Sequence, residues 1–595
     1  MDRLRPVTLS LSVKTAYFAA LCTDLLSIAF SGQALAQAPD HSRYRVEIQA
    51  PRELRDMLKS GLNLIRWQND EGLSPALLER LVDEAVHETR NAAAAEGWFA
   101  AKVEASIDRE HEPWTVTLRI EPGPRTHVKS VDIRIEGPVN DDREARKRLQ
   151  KLRKEWSLPV GQPFRQAAWD AAKQKALGDL SQWRYAAARI VESRADVEPN
   201  ANTAALSVTL DSGPPFRFGA VEVSGVKRYS EAIVRNLSPI KAGTTFDRDE
   251  LTQYERRLLE ANYFISAHAA VDPDPAHAEA APVRAAVIEG PSQNLEVGLH
   301  LNTDTGFRTE FHYRNADVFD RAWRLRADLE TGFKVQSSGL NLDLPPRSDG
   351  SWINPFWRIE RQDIQNLLTA ETSIGVGLNH GAISAPSGPA VSYHIAEDRV
   401  TGEPVAYQHA LYLVYRIAFR DTDDFLAPRK GYLGTASAGF APSGASTRGF
   451  SRVQGRASLL QPIGPDDLLI RGELGAVIAP TRAGIPQSFL FRTGGDQTVR
   501  GYEFESLGVP ESNAIVGGRY LAVASVEATH WIGANWGVAT FIDAGDAWDE
   551  GRFRPALGYG VGGRIRTPIG PVRADVAYGQ RVHRFRLHFS IGFTF

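Results

Sequence analysis

Phe585-Arg586-Leu587-His588-Phe589-Ser590-Ile591-Gly592-Phe593-Thr594-Phe595 places an apolar residue at every odd position and a polar or small one at every even position. Strand side chains point to alternate faces, so this segment reads as a β-strand with one apolar and one wet face. Upstream, Leu295, Val297, Leu299 and Leu301 alternate with Asn294, Glu296, Gly298 and His300, and Leu411, Leu413, Tyr415, Ile417 and Phe419 repeat the habit. From Asn294 onward Gly, Pro, Asp and Asn punctuate such strands and helical periodicity is almost gone. A soluble sandwich or propeller would share the alternation, but no blade repeat is visible.

Beyond the N-terminal segment no stretch reaches the roughly 18 apolar residues of a transmembrane helix, and the mean hydropathy is −0.29. A chain of this kind spans a membrane only as strands, and strands satisfy every backbone group in lipid by closing into a barrel. At about 19 residues per strand and turn, residues 293–595 supply about sixteen antiparallel strands. A barrel entered from the periplasm whose last strand stops at Phe595 also requires an even number.

The 595 residues exceed one compact domain. The net charge of −3 and pI near 6.6 give no global sign, so no nucleic-acid partner is expected. Arg3, Arg5 and Lys14, the apolar run from Ala16 to Phe30 and Ala34-Leu35-Ala36 read as a secretory signal over residues 1–36, with an uncleaved anchor as the alternative. Cys22, the only cysteine, lies inside that segment. Cleavage after Ala36 would leave no thiol for disulfides, zinc or nucleophilic catalysis.

Three alternating strands run into Gly-Pro, at Gly123-Pro124, Gly213-Pro214 and Gly290-Pro291, spaced by 90 and 77 residues. Further strands, Tyr44–Ile48, Val131–Gly137 and Val221–Gly225, and helical faces such as Leu77, Leu78, Leu81, Val82 and Val86, give each unit a β-α-α-β-β order. The period exceeds that of solenoids, so three small α+β domains are expected at 43–123, 124–213 and 214–290, ahead of a barrel at 293–595.

These repeats, the barrel texture, Val499-Arg500-Gly501-Tyr502, Phe541-x-Asp543-x-Gly545, the Asp423–Tyr432 segment and Thr567-Pro568-Ile569-Gly570-Pro571-Val572-Arg573-x-Asp575 together resemble the outer-membrane family of POTRA-domain barrels. Three POTRA-like units resemble its TamA-like branch, the barrel subunit of the translocation and assembly module. That resemblance implies an outer-membrane barrel with periplasmic POTRA domains, a TamB-like inner-membrane-anchored periplasmic partner, contact with outer-membrane lipid, and autotransporter-like β-barrel clients. A two-partner secretion transporter and a general barrel-assembly subunit are the rival members.

The resemblance also implies that the loop carrying Arg500 folds into the barrel and that Arg500 contacts Asp543. The chemistry is consistent: a guanidinium in a lumen needs a carboxylate, which takes its rigid fork bidentately, and Gly501 lets the loop backbone approach the wall. Alternatively both residues line a wet pore, where such a pair is worth about 0–1 kcal/mol. By the same resemblance the strand ending Phe589, Ile591, Gly592, Phe593 and Phe595 meets the one holding Leu295 to Leu301. Gly298 and Gly592 would loosen that seam, and a loose seam exposes edges that template another strand; otherwise the two strands simply close an ordinary barrel.

The basic run Asp141–Trp156 reads as a solvated helix or an anionic docking face. Trp323, Trp352, Trp357, Trp531, Trp536 and Trp548 suit interfacial girdles, or fill lumen and loops. There is no G-x-S-x-G, H-E-x-x-H, Walker or EF-hand pattern, no cofactor is implied, and no Ser and His show a recognisable spacing. Binding and strand exchange are expected in place of catalysis, with a barrel phospholipase as the enzymatic rival.

Overall fold

The computed structural model describes residues 44–70, 73–424, 428–567 and 570–594. The signal-like segment, Cys22, Phe595 and parts of the Asp423–Tyr432 and Thr567–Asp575 motifs lie outside these. The chain divides into two compact units, one ending with segments 147–177 and 190–210, the other comprising 136–146, 178–189 and 211–595.

The first unit opens with a three-stranded sheet of Tyr44–Gln49, Lys102–Asp108 and Trp114–Glu121, in which the third strand lies between the other two. Tyr44–Gln49 pairs parallel with Trp114–Glu121 and Lys102–Asp108 pairs antiparallel with it. A parallel pair needs a long crossover, which the helices Arg52–Gly61, Asn63–Arg66 and Pro75–Ala95 supply. Ser74 caps the longest by accepting the Leu77 N–H at 3.2 Å, with Pro75 in the first turn. Its Leu78, Leu81, Val82 and Ala85 are buried in one cluster with Val116, Leu118 and Ile120 of the central strand.

The same strand order recurs in the sheets His127–Glu136, Arg189–Glu198, Thr203–Asp211 and Phe218–Ser224, Phe264–Val271, Ala281–Glu289. The basic run forms the helix Arg143–Lys154, which buries Ala145, Leu149 and Leu152 and exposes its cationic side chains.

The barrel closes through sixteen antiparallel strands, from Gln293–Asn302 to Arg584–Thr594. Its outer face carries the apolar positions, with Leu295 61 % and Leu587 68 % exposed, as a lipid-facing surface requires. The end nearest the third sheet is fastened to that domain: Tyr263 Oη donates to Ala322 O at 2.7 Å, Asn236 Nδ2 to Pro346 O at 2.8 Å, and Arg324 Nη1 to Ala261 O at 3.1 Å. This end faces the periplasm, and the opposite end carries the long loop of residues 479–519. A girdle role fits Trp536, which is exposed. It does not fit Trp352, buried with its indole N–H on Asp343, or Trp531, whose indole donates to Asp467 at 2.6 Å.

Candidate functional site

The 479–519 loop leaves strand Asp466–Ile478, turns down into the lumen and returns to strand Tyr520–Ile532. Its Ile485, Phe489, Leu490, Phe491, Val499, Tyr502 and Leu507 bury against Tyr412, Phe450, Leu521 and Val523 of the wall. The loop is therefore a packed element, held by apolar burial before any charge is considered.

At its tip Arg500 is 2 % exposed. Arg500 Nε donates to Asp543 Oδ2 at 2.7 Å and Nη2 to Asp543 Oδ1 at 2.9 Å, a bidentate fork, while the Arg500 backbone N–H adds a third bond at 3.1 Å. Arg500 Nη1 reaches Glu527 at 2.6 Å and Asp575 at 3.4 Å, and the guanidinium carbon lies 3.4 Å from the Phe541 ring centroid. Strand Trp536–Trp548 presents Phe541, Asp543 and Gly545 on one buried face, because side chains two apart share a face. Gly545 leaves room for Val499, whose Cγ2 would sit 3.0 Å from any added Cβ.

The pair belongs to a larger cluster. Arg564 donates to Glu527 at 3.0 Å and Asp575 at 2.5 Å, and Ser525 Oγ donates to Asp543 at 2.7 Å. Two guanidinium groups thus face three carboxylates, all nearly excluded from solvent. The wet-pore alternative does not describe this site: removing one partner of a buried pair typically costs about 3–5 kcal/mol, against about 0–1 for an exposed one.

Gly501 has φ +90°, and a Cβ there would meet the Gly579 backbone N at 2.7 Å. Only glycine accommodates both the left-handed backbone and the approach. Its N–H donates to His588 Nε2 on the last strand at 2.9 Å. Tyr502 Oη donates to Leu557 O at 3.0 Å and accepts the Arg581 N–H at 2.9 Å. The tip therefore touches the five consecutive strands from Tyr520–Ile532 to Arg584–Thr594.

Glu527, Arg564 and His588 escaped the motif reading, and Asp575, quoted in the Thr567–Asp575 motif, carried no expectation of joining the site. Their available signal was a charged or polar residue at an inward register on successive strands. A further correction concerns Ser392 and His394, two apart on strand Ala385–Val400. Ser392 Oγ and His394 Nε2 are 2.8 Å apart, His394 Nδ1 and Glu371 Oε1 2.8 Å apart, and Ser488 of the loop donates to the other Glu371 oxygen. His394 also packs edge-on to Phe489 at 4.8 Å. With Ser392 only 6 % exposed, the trio ties the entering limb of the loop to the wall, as does the Gln487 N–H bonded to Asp398 at 3.1 Å.

The seam joins strand Gln293–Asn302 to strand Arg584–Thr594 in five residue pairs, from Gly298 with Thr594 through Leu299 with Phe593, His300 with Gly592 and Leu301 with Ile591 to Asn302 with Ser590. The same first strand pairs with the second over ten residues, Gln293 to Asn302. Among the described residues Gln293–Glu296, including Leu295, pair on one side only, and the register carries Val297 to Phe595, which lies outside them. Beyond Asn302 the seam continues through Thr303 N–H to Phe589 O at 3.1 Å.

Comparison with known proteins gives three family matches: the Omp85 superfamily domain over residues 288–595, POTRA domain TamA domain 1 over 45–122, and the surface antigen variable number repeat over 216–302. Outer envelope protein 80, chloroplastic, of Arabidopsis thaliana is 31 % identical over 158 residues, which is 24 % of this chain and 19 % of that protein, so the match spans about a fifth of the relative's length. BamA from Haemophilus ducreyi lacking POTRA domains 1-3 superposes with a TM-score of 0.55 at 13 % identity, covering 79 % of this chain and 100 % of that one. CdiB from Acinetobacter baumannii gives 0.46 at 14 % identity, covering 79 % and 91 %. The BamA likeness concerns the fold, while the Omp85 domain takes in the barrel, the lumen loop and the seam alike. On that match, which runs over more than half of its length, the chain belongs to the Omp85 superfamily.

Proposed function

We propose that this protein is an outer-membrane assembly and translocation factor that inserts or exports autotransporter-like β-barrel clients by opening its seam to a client strand. The observation that carries the reading is that, among the described residues, the first strand pairs with the last over five positions and with the second over ten. A strand half-paired along its length offers backbone donors and acceptors to an incoming strand. The loop latch, centred on Val499, Arg500, Gly501 and Tyr502 against Phe541, Asp543 and Gly545, holds the closing strands in register while the seam exchanges partners. Strand exchange supplies the work, so neither cofactor nor catalytic step enters. A TamB-like periplasmic partner is part of the reading, supported by the TamA-type match of the first domain.

Leu301→Cys with Ile591→Cys, registered partners across the seam, in a Cys22→Ser background tests it. Oxidation is expected to deplete autotransporters from the outer membrane, and reductant to restore them. Full client content with the crosslink complete would refute seam opening. Selective loss of one secreted exoprotein would favour a two-partner secretion role. Copurification from crosslinked envelopes tests the periplasmic partner.

A further inference from the structure

His588 Nε2 accepts the Gly501 N–H at 2.9 Å. A backbone N–H only donates, so Nε2 must present its lone pair and the ring's single proton sits on Nδ1. Nδ1 is buried without a hydrogen-bond partner and faces Asp304 Oδ1 at 3.6 Å. Protonating the ring puts a second N–H on Nε2, pointing at the Gly501 N–H. Two donors cannot share that space, and the Asp304 carboxylate on the other side attracts the imidazolium.

We propose that His588 is a positioning residue that seats the Arg500–Gly501 tip only while its imidazole is neutral, so that acidification releases the loop from the last barrel strand. The proposal rests on the latch reading and adds its regulation. The charged groups around His588 come from each element packed on it. Asp304 lies in the turn after the first strand. Asp496 belongs to the loop and sets its N–H on Asp304 Oδ2 at 2.6 Å. Arg500 adjoins Gly501. Asp575, in register with His588 on the preceding strand, is engaged by Arg564. Arg586 on its own strand pairs with Glu503 at 2.5 Å, and His300 of the first strand pairs with Glu310 at 3.3 Å.

The two loop and turn carboxyls reinforce the response. Burial, then the charge of Asp304, raises the Asp496 carboxyl above the ordinary range. Burial also works to raise Asp304, but the His588 ring and the Asp496 N–H outweigh it and hold Asp304 low. Asp304 therefore stays anionic as pH falls and is the group toward which a protonated His588 swings.

The test is a nitroxide at exposed Gln497→Cys in full-length Cys22→Ser protein in lipid nanodiscs, followed by electron paramagnetic resonance from pH 8 to 5. The mobile fraction is expected to rise severalfold on acidification in the parent and to stay flat in His588→Gln, whose amide oxygen keeps an acceptor that does not titrate. His588→Asn is the second variant, and gel heat-modifiability checks that each barrel is folded. A flat parent profile, or an unchanged transition in both amide variants, overturns the proposal. A transition that survives His588→Gln and disappears in Asp496→Asn belongs to the carboxyls and overturns it too. Arg500→Ala carried alongside separates the two readings: a label still immobile at pH 8 in that variant defeats the latch itself, whatever the histidine does.

Discussion

Arg500→Ala is the sharpest perturbation of the latch. The truncation removes both bidentate bonds to Asp543 and leaves that fully buried carboxylate with the Ser525 hydroxyl and one backbone N–H. Glu527 and Asp575 keep Arg564, so the loss falls on Asp543. Orphaning one member of a buried pair costs about 3–5 kcal/mol. At about 1.4 kcal/mol per tenfold, the ratio of seated to unseated loop falls by roughly two to three and a half orders of magnitude. The assay is the rate of maleimide labelling at Thr493→Cys, a loop position only 2 % exposed while the loop is seated, in Cys22→Ser protein in intact membranes, with heat-modifiability reporting the barrel. Labelling is expected to accelerate strongly in Arg500→Ala and less in Arg500→Lys, which keeps the charge and loses the fork. Arg500→Ala with Asp543→Ala is expected to recover part of the protection, because no orphaned charge remains. Labelling within twofold of the parent in Arg500→Ala, or a double variant no better than the single one, would refute the argument.

Gly501→Ala forces a Cβ to 2.7 Å from Gly579 N at φ +90°, a cost of about 1–3 kcal/mol in backbone strain alone; the same labelling is expected to accelerate with the barrel intact, and unchanged protection would show that the tip has room. In the second domain, burial pushes the Asp142 carboxyl up, but Arg184, the Ala145 and Glu144 N–H groups and the Tyr185 hydroxyl outweigh it and hold it below the ordinary carboxylate range. A depressed carboxyl contributes stability above its unfolded value and loses it as pH falls through the folded one, so hydrogen-exchange protection of helix Arg143–Lys154 is expected to drop below about pH 4. Asp142→Asn, which keeps a capping side chain, is expected to flatten that dependence; an identical acid profile in the variant would assign it elsewhere.

Local pattern sufficed for the barrel. Alternation with period two fixes which residues of Phe585–Ile591 or Leu295–Leu301 face lipid, since the pleat assigns faces without knowledge of any neighbour. The Gly-Pro stops and helical faces likewise marked α+β units, because turn chemistry and amphipathicity are short-range properties. Arg500 and Asp543 were nameable from motif resemblance. Glu527, Arg564 and His588 were not, and Asp575 was quoted in a motif without a partner, because each sits on a different strand and only the barrel's closure and stagger gather them around one loop tip. The Ser392–His394–Glu371 tie was missed similarly, its third member coming from the adjacent strand. Sequence alone thus determined which face each strand turns to lipid and that α+β units precede a barrel. The tertiary structure decided which residues of the first and last strands pair across the seam and which tautomer His588 must hold, since register and proton position depend on partners far away in the chain.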